Sequence, residues 1–92
     1  MNVRRAKPLE RLDEACPILT RSRLTFDCPV HEKCRGGRVE IPVSTTEAVG
    51  AWTRSGMDFG TMTIMPSIRR RGACGWHGLI LDGRFEHCED SV

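Results

Sequence analysis

The chain has 92 residues, nine of them glycine and five of them cysteine, with a formal net charge of +2. That length holds one domain, and no stretch is long and apolar enough to span a membrane. The mild charge neither demands nor excludes an acidic partner.

Residues 1–22 read as a polar segment ahead of a single domain at residues 23–92. Within the segment, "KPLERLDEACP" sets Pro8 at a first helical turn and Pro17 as a stop. Leu9, Leu12 and Cys16 fall at spacings of three and four, which predicts a short helix with a narrow apolar stripe. "RLTFDCP" alternates as a strand, with Leu24 and Phe26 on one face. "VHEKCRGG" reads as a loop, and "RVEIPVS" as a second strand carrying Val39, Ile41 and Val43 on one face. The two strands flank the loop and should pair as a hairpin. Pro42 lacks an N–H, so it belongs on an edge or where the amide would face solvent.

Residues 44–60 are rich in turn formers, with "AVGAW" a short strand carrying Trp52. "TMTIMPSI" alternates again, and Pro66 is expected to end it. "RRRG" then reads as an exposed basic turn. In "GLILDGRFEH" the pair Asp82-Gly83 marks a type I′ hairpin turn, since both central residues need positive φ. A two-residue turn fixes the register: Leu81 faces Arg84, Ile80 faces Phe85 and Leu79 faces Glu86. His77 then lies across from Cys88, and His87 shares the opposite face with Phe85. The expected fold is small and mainly β, built of antiparallel hairpins in a zinc-ribbon-like arrangement, with a short N-terminal helix.

A chain of this size buries roughly 60–65% of its unfolded surface. Its aromatic residues are only Trp52, Trp76, Phe26, Phe59 and Phe85. Such a domain needs a staple: disulfides, a metal or a partner chain. Five cysteines cannot all pair internally. Residues 1–7 are polar and basic with no apolar run behind them, which reads as a leaderless, cytoplasmic protein whose thiols stay reduced. Metal is therefore favoured over disulfides.

Two clusters carry soft ligands, "CPVHEKC" and "CGWH". Structural zinc takes four thiolate or imidazole ligands, two from each of two separate loops. The expected set is Cys28, Cys34, Cys74 and His77, binding one Zn2+. His31 in place of Cys34 would give two matching knuckles, and Cys88, across from His77, is the other substitute. Cys16 reads as a small buried apolar residue and His87 as an ordinary surface histidine. A cysteine-nucleophile reading, Cys74 with His87 or His31, lacks the helix terminus that would activate the thiol.

"FDCP", "RVEIPV", "TMTIMPSI" and "CGWHGLILDG" together resemble a family of small phage and prophage proteins of unknown function, some of which carry the label ammonia monooxygenase. The resemblance runs from about Leu24 to Cys88, and its most specific parts are "PSI" at residues 66–68 and the pair Cys74 and His77. It implies a virus or prophage origin and a host-cell location, and it does not supply an activity. The function expected from sequence is a non-enzymatic, zinc-stabilised module that engages a host or phage protein. A nucleic-acid-binding zinc ribbon is the alternative, with Trp76 beside "RRRG" stacking on a base. A small metal-dependent enzyme ranks third.

Overall fold

Alternating apolar and polar residues build nearly all of this molecule. The computed structural model describes residues 9–30, 37–70 and 75–89. Its strands are β1 (Ile18–Leu19), β2 (Arg23–Asp27), β3 (Arg38–Ser44), β4 (Trp52–Ser55), β5 (Thr63–Arg69), β6 (His77–Leu81) and β7 (Arg84–His87). They lie in chain order in one sheet. The small, mainly β class expected from sequence is what forms.

β2 and β3 pair antiparallel, with Leu24 opposite Ile41 and Phe26 opposite Val39. This sets the apolar residues of both strands on one buried face. The last hairpin forms as its turn chemistry dictates. Asp82 and Gly83 take φ of 50° and 76°, and Ile80 pairs with Phe85. The Cys88 N–H donates to the His77 carbonyl at 2.9 Å, so these two residues are neighbours across the ladder.

Two expectations fail on the middle strands. β3 and β4 run parallel, not antiparallel, and touch through only Val43↔Trp52 and Ser44↔Thr53. The chain after β3 turns back through residues 45–51, too short a connection to lay two long strands side by side. Pro66 does not end β5, which runs on to Arg69. β4 pairs with β5 only as far as Met65, so the missing N–H of Pro66 falls beyond that ladder. On the other side the register with β6 shifts between Ile64 and Ile68, a bulge that absorbs the proline. The Met65–Pro66 peptide is cis.

The sheet curls until its ends meet. Phe26 on β2 stands 5.6 Å, centroid to centroid, from Phe85 on β7 and 6.4 Å from Trp76. Trp76 is fully buried, and its Nε1–H donates to His87 Nδ1 at 2.9 Å. The expected stacking of Trp76 on a base is therefore corrected: the indole is core. Residues 9–12 stitch the curl, with Leu9 N–H to Pro29 O, Leu12 N–H to Gly83 O and Phe85 N–H to Glu10 O, at 2.8, 2.9 and 2.9 Å.

That stitching displaces the expected helix. Residues 10 and 11 spend backbone on β7 and on the Glu14 carboxylate, leaving one 3-10 turn, Leu12–Ala15. Leu12 is buried as the stripe requires, with Ala15 buried beside it, but Cys16 takes a left-handed φ of 48° and is exposed, against the buried role expected for it.

Candidate active site

β5 carries apolar Ile64 and Ile68 into the core and turns Ser67 toward the outer face. Across the ladder, β6 begins at His77, opposite Arg69. Ser67 and Arg69 are two apart on one strand, so both flank the imidazole. The Ser67 Oγ lies 2.9 Å from His77 Nε2, and an Arg69 Nη lies 3.0 Å from His77 Nδ1. Ser67 and His77 are each half-buried. Behind them the Trp52 Nε1–H donates to the Ser67 carbonyl at 3.2 Å, fixing the β5 backbone at this residue. The register shift between Ile64 and Ile68, which spans Ser67, re-aims the strand here, a common use of bulges beside reactive side chains.

A hydroxyl in hydrogen-bond reach of an imidazole is the minimal unit of an activated serine nucleophile. The third group decides which way the proton sits. A guanidinium has donors and no acceptor, so Nδ1 must face Arg69 with its lone pair. A neutral ring then carries its proton on Nε2 and donates it to Ser67 Oγ. To take the serine proton, the ring needs the other tautomer, with Nδ1 protonated. With Arg69 on Nδ1, the neutral ring does not offer Nε2 as an acceptor to Ser67.

One residue past Ser67, at Ile68, the sheet opens. Between residues 38–41 of β3 and Ile68, Arg69 and Arg70 lies an open cleft of about 430 Å³, with Trp52 at one end. At its other end an Arg70 Nη donates to the Arg38 carbonyl at 3.4 Å.

Of the four expected metal ligands, the structure describes Cys28 and His77. Cys34, Cys74 and the substitute His31 lie outside the described residues. Cys28 is buried in the core, and both ring nitrogens of His77 have protein partners. Cys88 is half-buried and joined to His77 through its backbone. Among the described residues no group of three or more His, Cys, Asp or Glu side chains is placed to hold a metal ion. No described helix is long and apolar enough to cross a membrane.

A family model described as the bacterial ubiquitination-like system serine protease, BubE, matches residues 4–88. The chain belongs to the BubE family. Comparison with curated proteins and with solved structures found no match. Membership corrects the function expected from sequence: a family named for serine proteolysis points to an enzyme, not to a non-enzymatic zinc module. It also stands in place of the phage and prophage family that the motifs resemble, and gives no support to a phage origin or a zinc-ribbon motif. Sequence reasoning missed Ser67, which was visible only as the middle of "PSI", and did not place it beside His77. The two residues are ten apart, and no compact motif spans them.

Proposed function

We propose that this BubE-family chain is a serine protease in which Ser67 is the nucleophile and His77 the general base. The observation that carries the reading is the 2.9 Å approach of Ser67 Oγ to His77 Nε2, in a chain whose family is named for serine proteolysis. The family description sets these proteases in a bacterial ubiquitination-like system, so the substrate is a polypeptide of such a system.

The steps follow from the geometry once Arg69 has left Nδ1. Ser67 Oγ attacks the carbonyl carbon, and its proton passes to His77 Nε2. The carbonyl oxygen becomes an oxyanion, and the Ser67 N–H, which strand alternation turns away from β6, is a backbone donor for it. Collapse breaks the C–N bond, and His77 returns the proton to the leaving amine. The acyl group stays on Ser67 as an ester. Water then attacks the ester carbon, again giving its proton to His77, and the acid is released as Ser67 recovers its hydrogen.

The test is cleavage of a mixed peptide library, read by mass spectrometry. Ser67→Ala and His77→Ala should each lose about 10³-fold or more in cleavage rate while keeping a wild-type melting curve. A Ser67→Ala protein that cuts as fast as wild type would refute the assignment.

A further inference from the structure

Ser67 sits in a stretch of β5 that neither neighbouring strand pairs. The ladder with β4 ends at Thr53↔Met65. The ladder with β6 stops at Ile64↔Ile80 and resumes at Ile68↔Gly78. Pro66, just ahead of Ser67, has no N–H to lend to either side. Ordering a residue costs conformational entropy, so backbone outside a ladder stays loose unless another bond holds it. Any play at the Ser67 Cα is carried to the Oγ that must meet His77.

The missing bond can be named. Extending the β4–β5 register two residues past Thr53↔Met65 sets Ala51 opposite Ser67. Ala51 belongs to a turn, and its N–H donates to the Ala48 carbonyl at 3.3 Å. The next residue supplies the donor instead, from its side chain: the Trp52 Nε1–H meets the Ser67 carbonyl at 3.2 Å in a part-buried setting. That donor is itself held. The Trp52 backbone pairs with Val43 on β3, and its ring packs against the core. An indole turns about only two side-chain torsions, so with its root fixed its N–H is aimed. Ser67 is thereby gripped at two points, its carbonyl by Trp52 and its hydroxyl by His77 Nε2 at 2.9 Å.

We propose that Trp52 is a positioning residue for the proteolysis assigned to Ser67 and His77: its indole N–H replaces the absent ladder donor and keeps the Ser67 Oγ within reach of the imidazole. It acts through the Ser67 backbone and touches none of the reacting atoms. The proposal rests on Ser67 as nucleophile and adds how that nucleophile is held. Without the donor, the Ser67 carbonyl turns to water and the Oγ spends less time in line with Nε2. A misplacement of about 1 Å costs on the order of 10²-fold in rate, and loosening one of two tethers costs less, about tenfold.

The experiment measures the rate at which ethyl fluorophosphonate labels Ser67 in the full chain, at about pH 8, where an ordinary imidazole is neutral. Trp52→Phe keeps an aromatic ring and drops the donor. Trp52→His gives up the six-membered ring but brings its Nε2–H to the place of the indole Nε1, the same number of bonds from Cβ. Trp52→benzothienylalanine, made by chemical synthesis, changes only the N–H to sulfur. Trp52→Phe and Trp52→benzothienylalanine should label about tenfold more slowly than wild type, and Trp52→His within about threefold of it. Trp52→His should nevertheless melt below Trp52→Phe, because it packs less apolar surface. Rate and melting temperature then rank in opposite orders, which a packing role does not produce. Labelling of Trp52→Phe as fast as Trp52→His overturns the proposal, as does a wild-type rate for Trp52→benzothienylalanine. If Trp52→Phe or Trp52→His fails to fold, the near-isosteric benzothienylalanine protein decides alone. Absence of the adduct from Ser67 in the wild type is a different failure: it refutes the nucleophile assignment, and the positioning role falls with it.

Discussion

Replacing Arg69 by leucine should make the enzyme more reactive toward small acylating reagents. The guanidinium 3.0 Å from His77 Nδ1 keeps that nitrogen an acceptor, and so keeps the proton on Nε2, where it blocks attack by Ser67. Leucine removes the donor without adding an acceptor, and the ring is then able to present its Nε2 lone pair to the hydroxyl. A hydrogen bond from a charged donor contributes ~1.5–3 kcal/mol when sheltered. The Arg69 contact is exposed, so water screens it and about 1 kcal/mol is the fair figure. A difference of ~1 kcal/mol corresponds to about a fivefold rise in rate. The rate of adduct formation with ethyl fluorophosphonate, followed by intact mass, measures it directly. Arg69→Lys should fall between, because an ammonium still donates but without the planar fork. An Arg69→Leu protein of unchanged melting temperature that labels at the wild-type rate or slower would refute the tautomer argument.

Two further predictions concern the frame that holds the dyad. Trp76→Ala removes the buried indole between Phe26 and Phe85 together with the donor to His87, and should cost about 3–5 kcal/mol, which a urea melt would show as a large fall in midpoint. Gly78→Ala should cost ~1–3 kcal/mol, read by thermal melt, because its Cβ would lie 2.5 Å from the Glu86 carbonyl and 2.7 Å from Trp76 Cζ2.

Local chemistry made the hairpins legible. Asp82-Gly83 declares its own turn, and the alternation of Leu24, Phe26, Val39, Ile41 and Val43 declares a buried face. Tertiary pairing decided the rest. The helix expected over residues 8–16 lost to backbone bonds with β7, which no periodicity within the segment reveals. Reading Pro66 as a strand end hid the Ser67–His77 pair. A strand carried through to Arg69 beside the known hairpin would have set Ser67 and Arg69 on the outer face near His77. The bulge and the short reach of β4 make that continuation possible, and both are properties of the assembled sheet. The contact between His77 and Ser67 was not legible, because residue type and spacing alone do not distinguish an imidazole that binds zinc from one that faces a hydroxyl.

One side chain carries the proposed chemistry, so the most direct test is where a serine-directed reagent attaches. The wild-type chain, treated with ethyl fluorophosphonate and mapped by tandem mass spectrometry, should carry a single adduct on Ser67. The same treatment of His77→Gln should label about 10²-fold or more slowly, the usual contribution of a positioned general base. An adduct on any other residue, or labelling of Ser67 that is indifferent to His77, would contradict the account.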